Sequence, residues 1–461
     1  MQAKEILERY KDVPEIIQSS IEMIEANCPI QIFSGNYLIR NEKGDLNVNG
    51  EIIFNWVASS GSHFFGTINA DTQIADSFSI SHDKIQIIVD GLVFGDGNVN
   101  NKTIGTNISG TEIKGRLLGQ ACFGDKSVAV EKLVFTIPNF RDFHGTVVKS
   151  KTEANFSTLS NRLTLENDFC IINIDKCKDF KNRIQSLEEK GGFNILYNCE
   201  LVPKKGSVKL EDSAEIFHCL STFLTFLNGR RTSAFFIQGV YEERVLWCDY
   251  TDYLVDSYKY VQTWPQKTSV IGISKLWEQF STLWKDSNNK NFFISAIHWY
   301  VEANANSGFT EGSIIMTQTA LELLYNWWII ESKKMIVGKD SENINAANKI
   351  RLLLSQLDIS HSVPLAFTHL QQFVDENENI TDAPEAIVQI RNAIVHSQHE
   401  KRKKLDSIHY MAKHEALQLS IWYIEMTLLK ILDFDEKYFN RCSRKMWASE
   451  AEVFPPWSSK G

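Results

Sequence analysis

The hydrophobic pattern of this chain changes once, near Trp264–Pro265, and this change constrains the fold more than any other feature. From about Gly50 to Pro203, short alternating or β-branched runs lie between turn clusters such as SSGS and GDGN. That spacing is typical of strands in an antiparallel sandwich or a strongly curved sheet. After Pro265, apolar residues recur at helical spacing, which predicts a helical bundle of about 180 residues.

The sequence therefore predicts an α+β multidomain protein, with a β-rich N-terminal region followed by an all-α bundle. Three parts are expected: a helical extension at 1–28, a β-rich domain of one or two subdomains at 29–265, and a helical domain at 266–461. The Asn/Gly-rich stretch 95–110 is rich in turn residues and is predicted as a loop. The predicted helices are 210–229, Ile273–Lys285, Asn291–Asn306, Glu311–Met335, Ile344–Leu357, Leu365–Val374, Ala383–His396 and Leu405–Leu432.

Charge and hydropathy exclude several classes of protein. The chain has 48 Lys+Arg against 57 Asp+Glu, a net charge of −9, so any binding of nucleic acid requires a local basic patch. The first 17 residues mix charges and lack the apolar core of a signal peptide. The most apolar stretches are too short or too interrupted to span a bilayer. These features predict a cytoplasmic protein without a membrane partner.

Eight cysteines are scattered through the chain, and no CxxC pair occurs. A zinc knuckle or a redox pair requires closer spacing, so the cysteines are predicted to be buried, reduced thiols.

The segment Thr381–His396 carries the most informative polar pattern. Asp382, with Glu385 three residues later, resembles the capping box that begins a helix. On a helical wheel the apolar positions form one broad arc, at Ile387, Val388, Ile390, Ile394 and Val395. The opposite face carries Glu385, Gln389, Asn392 and His396. Arg391 lies about 140° from His396 on an ideal helix, so the two side chains converge only if the helix ends near His396.

Residues Arg391 to His396, RNAIVH, resemble the R-x4-H motif of HEPN ribonucleases. The long helix that precedes the motif and the final helix that follows it are similar to the ApeA-like HEPN domain of bacterial anti-phage proteins. The resemblance is specific over residues 290–445. Over residues 30–265 it is limited to the general β-rich character of the sequence. It implies metal-independent cleavage of RNA without a cofactor, at a cleft between two motif helices of a homodimer formed by the C-terminal bundle.

The resemblance also implies roles for individual residues. His396 would transfer the proton, Arg391 would hold phosphate oxygens, and Asn392 would bind phosphate or orient His396. Glu322 matches an acidic residue on an earlier helix and would orient Arg391 through a bidentate pair. The alternative is that Arg391 pairs with an acid, His396 caps the helix C-terminus and Glu322 is an exposed helix carboxylate.

A basic run follows the motif at Lys401, Arg402, Lys403 and Lys404. It is interpreted either as an RNA-binding patch beside the cleft or as a solvated loop. Arg441, Arg444 and Lys445 would extend the patch. His399 lies three residues after His396, a spacing used by metal sites, but no third ligand is near, so a solvated loop is predicted there as well.

The function predicted from these features is an endoribonuclease of anti-phage, abortive-infection defence. Its β-rich domain would restrain the nuclease or sense a phage-derived trigger. The alternative is a non-catalytic HEPN-like protein that binds RNA or mediates dimerisation. A glycan-binding or hydrolytic role for the β-rich domain ranks last, because that region has no evident carboxylate pair or nucleophile elbow.

Overall fold

The computed structural model describes residues 10–42, 44–68, 84–104, 111–151, 156–267, 270–305, 308–341, 343–396, 399–443 and 451–460. The chain divides into two compact units, each built from separate stretches of sequence. The β-rich unit comprises 1–141, 145–221 and 232–260, and the helical unit comprises 142–144, 222–231 and 261–461. A β-rich N-terminal region followed by a helical C-terminal region is the predicted α+β arrangement.

The strands of the β-rich unit form one continuous antiparallel sheet. In hydrogen-bonded order the strands are β3-β2-β1-β4-β5-β6-β13-β12-β7-β11-β10-β9-β8. Their bounds are β1 (Ile30–Asn41), β2 (Gly44–Asn55), β3 (Gly61–Ile68), β4 (Ile85–Val89), β5 (Leu92–Ile104), β6 (Thr111–Gly124), β7 (Lys132–Pro138), β8 (Thr146–Lys151), β9 (Phe156–Glu166), β10 (Cys170–Lys176), β11 (Ile195–Pro203), β12 (Phe235–Tyr241) and β13 (Arg244–Asp249).

Strands β1 to β6 close on themselves because β3 pairs with both β2 and β6. Side chains alternate between the two faces of a strand, and in β2 Leu46 and Val48 are buried whereas Asn47 and Asn49 are exposed. The enclosed core contains Phe64, which fits only because residue 115 on β6 is glycine. A Cβ at Gly115 would lie 2.0 Å from the Phe64 ring.

The prediction of a loop at 95–110 is wrong for residues 95–104, which belong to strand β5. Residues 105–110 lie outside the described residues. The polar backbone of this stretch is satisfied by the ladder with β6. A Cβ at Gly97 would meet the Arg116 carbonyl oxygen at 2.6 Å, so this glycine permits the close approach of the two strands. The turn-like composition of residues 95–104 is therefore explained by the close pairing of β5 with β6.

The prediction of a helical extension at 1–28 is also wrong for residues 10–28, which form turns and extended chain. Residues 1–9 lie outside the described residues. The backbone N–H of Ile16 donates to the Lys149 carbonyl on β8, and that of Lys149 donates to the Pro14 carbonyl. The N–H of Ile17 donates to a carboxylate oxygen of Asp175 at 2.9 Å. These long-range partners replace the bonds of a helix.

Helices α1 (Phe180–Lys190) and α2 (Leu210–Asn228) follow β10 and β11. The helical unit then contains α3 (Val270–Leu283), α4 (Ser287–Asn304), α5 (Phe309–Tyr325), α6 (Ala346–Ser355), α7 (Thr368–Asp375), α8 (Ala383–Val395), α9 (His399–Ser407) and α10 (Tyr410–Ile431). A π-helix follows α5 at Asn326–Ser332, a 3-10 turn lies at Gly338–Ser341, and a short ladder pairs Tyr438–Phe439 with Glu452–Val453.

The last and longest stretch of the helical unit begins at Val261, five residues before the predicted boundary, and the unit also includes the end of α2. The earlier boundary is explained by Trp264, because its ring is buried and packs edge-on against Phe434 within the helical unit. The helix predicted at 405–432 is two helices, because His409 caps the N-terminus of α10 by accepting the Met411 N–H.

Arg441 lies in the core of the helical unit, and its prediction as part of an RNA-binding patch is wrong. Its Nε donates to Glu425 at 2.9 Å, and its Nη1 donates to Gln418 at 2.9 Å. Tyr300 donates to the same carboxylate at 2.8 Å. Burial alone lowers the pKa of Arg441, but the Glu425 charge outweighs it and raises that pKa. The guanidinium therefore stabilises the fold and is withdrawn from solvent.

Within the described ranges, every helix is too short or too polar to cross a membrane. The cysteines are buried as predicted, apart from the half-buried Cys28. Burial raises the pKa of the Cys170 thiol to about 11 and that of Cys177 to about 12. Thiols of this kind remain protonated and unreactive near neutral pH.

Candidate functional site

Helix α8, which carries the Arg391–His396 motif, packs against α5, α6, α7, α9 and α10. Its first turn is held as the capping box predicts, since Asp382 accepts the Glu385 backbone N–H at 2.9 Å. Arg351 on α6 donates two hydrogen bonds to the same Asp382 carboxylate, at 2.6 and 2.8 Å. Burial by itself raises the pKa of Asp382, but the bonds from Arg351 and the Glu385 N–H outweigh it and lower that pKa.

Replacing Asp382 by asparagine should lower the free energy of unfolding by about 1–3 kcal/mol at pH 7, because asparagine keeps the cap but loses the charge that Arg351 binds. A carboxylate with a lowered pKa stabilises the fold fully above its unfolded pKa of about 3.9, and this stabilisation is lost as the pH falls through the folded value. Urea unfolding at pH 7 and pH 3 measures both effects. Asp406→Asn, at an exposed position on α9, is the control and should change little.

A row of polar side chains continues along α8 from Asp382 towards the motif. Gln389 donates to Glu385 at 3.0 Å and accepts from Lys404 on α9 at 3.4 Å. Asn392, three residues beyond Gln389, accepts from Arg391 Nη1 at 3.1 Å. On the other face Ile387 and Ile390 are fully buried, whereas Ile394 is half-buried and Val395, at the end of the helix, is exposed. The polar face predicted for this helix is therefore present, and α9 supplies a lysine to it.

The motif lies at the C-terminal end of α8. The helix ends at Val395, and His396 is the C-cap residue, exposed, with its backbone N–H bonded to the Asn392 carbonyl. An ending at His396 is the condition stated above for convergence of Arg391 and His396. The buried Nε of Arg391 has no hydrogen-bond partner among the described atoms.

The pair predicted between Glu322 and Arg391 is not formed in the described part of the chain, where no hydrogen bond or ion pair joins them. Glu322 lies half-buried on α5, a helix that packs against α8. The acid predicted by the alternative interpretation is also missing, because the one hydrogen bond of Arg391 among the described residues goes to the Asn392 side chain. The charge of Arg391 is therefore free of a carboxylate partner within these ranges.

The solvated loop predicted for His399 and the basic run is instead helix α9. Lys403 is exposed, whereas Lys404 is half-buried against Gln389. The side chains of Lys401 and Arg402 lie outside the described residues, as do Arg444 and Lys445. Neighbouring side chains of a helix point about 100° apart, so Lys403 and Lys404 face different directions. Only Lys404 is shown to join the polar row.

A second polar cluster was missed by the sequence analysis. His369 on α7 bonds through Nδ1 to Glu415 at 3.1 Å, and the Leu370 N–H donates to the same carboxylate at 2.6 Å. The His369 ring stacks on His409, with centroids 4.7 Å apart and planes at 6°. His369 lies 40 positions from His409 and 46 from Glu415, so no local spacing connects it to either. Among the described residues, no group of three or more His, Cys, Asp or Glu side chains is arranged to hold a metal ion.

Comparison with known proteins gives two domain matches and one relative. Residues 286–452 match the family described as the YopA C-terminal domain, and residues 125–261 match the YopA central domain. The relative is the "SPbeta prophage-derived uncharacterized protein YopA" of Bacillus subtilis (strain 168). This chain is similar to YopA over nearly its full length. The two are 26% identical over 453 residues, which cover 96% of this chain and 98% of YopA.

The C-terminal YopA match includes helices α5 to α10 and therefore the whole polar row of α8. The names of both domains and of the relative state no activity. No solved structure matches this chain.

Proposed function

We propose that this chain is a metal-independent endoribonuclease of the HEPN type that acts in bacterial defence against phage. The observation that carries the proposal is the end of α8, where Arg391 lacks a carboxylate partner and His396 is exposed at the helix terminus. An arginine without a carboxylate partner can bind phosphate oxygens and an exposed histidine can transfer protons, and these are the two roles that the proposed transesterification of RNA uses.

In the proposed reaction the 2′-hydroxyl of a ribose attacks the adjacent phosphorus, and the bond to the 5′-oxygen of the next nucleotide breaks. His396 accepts the proton of the attacking 2′-hydroxyl, and a proton is returned to the departing 5′-oxygen, so that the proton count balances. Arg391 binds the non-bridging oxygens, whose negative charge grows in the transition state. The Asn392 side chain fixes Nη1 of Arg391 at 3.1 Å and thereby limits the orientations of the guanidinium. The products are a 2′,3′-cyclic phosphate and a 5′-hydroxyl.

The RNA strand would extend from the end of α8 along the polar row. Lys404 lies beside Gln389, one helical turn before Asn392, and supplies a positive charge on this path. Lys401, Arg402 and Lys403 on the same helix are proposed to contact the backbone farther from the reacting phosphate. This local patch supports RNA binding in a chain whose net charge is −9.

Each chain offers one Arg391/His396 set, so the proposal includes a homodimer in which two α8 termini face each other. Val395, next to His396, is an exposed apolar side chain in the single chain. Replacing Val395 by glutamate should weaken the dimer by about tenfold or more, because a charge would be buried at the contact. Sedimentation equilibrium measures this change. Leu365→Glu, at another exposed apolar position, is the control, and an active wild-type monomer would contradict the dimer.

Activity in defence is proposed to stay dormant until infection, with the β-rich unit restraining the nuclease or sensing a phage-derived trigger. The relative is prophage-derived, and a prophage gene with a role in defence against other phages would be consistent with this proposal. Bacteria expressing the wild type or His396→Ala are challenged with phage, and RNA ends are then sequenced. New cyclic-phosphate ends are expected only in infected wild-type cells. Equal cleavage without phage would exclude the restraint.

The second candidate is a HEPN-like protein that binds RNA or dimerises without cleaving. It is favoured by the absence, among the described residues, of any hydrogen bond that orients the His396 ring. The two functions separate in one assay on purified protein. RNA retained in a filter-binding measurement but left intact over hours would support the second candidate, and cleavage in EDTA would support the first.

A further inference from the structure

A cavity of about 760 Å³ lies entirely within the β-rich unit. One wall is the N-terminal half of α2, and the facing wall is formed by strand β12 and the residues just before it. Residues after β13 and the loop that follows β6 complete the lining. This volume falls within the range of about 300–1,000 Å³ that small-molecule sites occupy.

Small side chains form part of the lining of the cavity. The helix contributes Ser213, Ala214 and Ser221, and the opposite wall contributes Ser233 and Ala234. Interiors between a helix and a sheet are ordinarily filled by large apolar side chains to crystal-like density. Phe217 of α2 reaches the sheet, where its ring packs edge-on against Phe135 at 5.1 Å. The small residues of the lining leave the space beside it unfilled.

The lining is apolar inside and basic at the surface. Phe217 and Ile237 are buried and form the apolar part. Lys126 and Lys209 are exposed at the edge, with Glu211 as the one carboxylate of the lining. Val130 and Val208 exchange both backbone hydrogen bonds. This pairing joins the segment that carries Lys126 to the segment that carries Lys209, and both lysines line the same cavity. Lys126 also donates to Gln120 at 2.6 Å, so its head is held at this edge.

We propose that this cavity binds a small amphipathic anion. Its apolar body would lie against Phe217 and Ile237, and its anionic head would bind Lys126 and Lys209. Two lysines against one glutamate favour an anion over a cation, and charge-assisted hydrogen bonds to them fix its orientation. A carboxylate or a phosphate head satisfies the same chemistry. The site uses no residue of α8 and does not depend on the nuclease proposal.

The test uses the full-length protein and the fluorescent anion 1-anilinonaphthalene-8-sulfonate as probe. Saturable binding is expected, with displacement by decanoate or decyl phosphate below their micelle concentrations and weaker displacement by decanol. The two anions distinguish a carboxylate from a phosphate head. Ala214→Phe fills the space and should raise the Kd for the probe at least tenfold. Asp212→Phe, at an exposed position of α2 outside the lining, is the matched control and should leave it within about twofold.

The charge contribution is tested by the double variant Lys126→Gln/Lys209→Gln. It should weaken decanoate by about tenfold and leave decanol unchanged, since charge-assisted bonds are lost and the apolar wall is intact. Circular dichroism verifies folding, and Ser221→Leu replaces Ala214→Phe if the latter unfolds. Probe binding that is unaffected by a folded, cavity-filling variant would overturn the site. Decanol binding as tightly as decanoate would overturn its preference for an anion.

Discussion

Replacing His396 by alanine should lower the rate of RNA cleavage by about 10²–10⁴-fold, the usual contribution of a general acid–base residue. Folding should be unchanged, because the His396 side chain is exposed and its backbone N–H, which caps α8, is retained. Cleavage is measured with purified protein and RNA in EDTA, and the cyclic-phosphate ends are quantified. His414→Ala, at another exposed histidine of the helical unit, is the control and should retain full activity.

Arg391→Ala should cost a similar factor through lost stabilisation of transition-state charge. Arg391→Lys should restore only part of the rate, because an ammonium cannot bind two phosphate oxygens as a guanidinium does. Unchanged cleavage in His396→Ala would refute the proposed mechanism. Activity that EDTA abolishes and magnesium restores would refute it as well, since the proposed chemistry uses only side chains of the protein.

The second large effect concerns stability. Replacing Arg441 by methionine should lower the free energy of unfolding by about 3–5 kcal/mol, because it leaves the Glu425 carboxylate charged and buried without its main partner. Urea unfolding monitored by tryptophan fluorescence measures the loss. Lys275→Met, which breaks an exposed pair with Asp435, is the control and should cost less than about 1 kcal/mol.

The double variant Arg441→Met/Glu425→Met should recover part of the loss, because an apolar pair leaves no uncompensated charge in the core. Tyr300 then loses the carboxylate that accepts its hydroxyl, so recovery should be incomplete. If Arg441→Met costs no more than Lys275→Met, the buried pair does not stabilise the helical unit.

Local signals were sufficient to predict α8 and its cap. Asp382 and Glu385 are three residues apart, and the apolar face repeats within one helix, so both features depend on neighbours in sequence. The change from strands to helices near residue 265 was predictable for the same reason, since the spacing of apolar residues differs between the two structures. At the end of α8, sequence reasoning named Arg391 and His396 as candidates and placed them near the helix terminus, but it did not predict that Arg391 and Glu322 make no bond among the described residues.

The errors arise where distant residues determine the structure. Strand β5 contains Asn and Gly that favour turns locally, yet its pairing with β6 outweighs this preference. Arg441 follows α10 in a segment rich in charge, and only the fold brings Glu425 and Gln418 to it. The lining of the cavity in the β-rich unit comes from segments spread between residues 120 and 254, and no motif marks them.

Strand β6 has a consequence for synthesis of the protein on the ribosome. Its register with β3 and β5 is complete within the first 124 residues, so the closed set of six strands can form early. The end of the same strand, Cys122–Gly124, pairs with β13, which is synthesised more than a hundred residues later. During that interval the nascent chain exposes an unpaired strand edge, a site at which other chains can add. Slowing translation between these strands should therefore increase aggregation of the newly made protein.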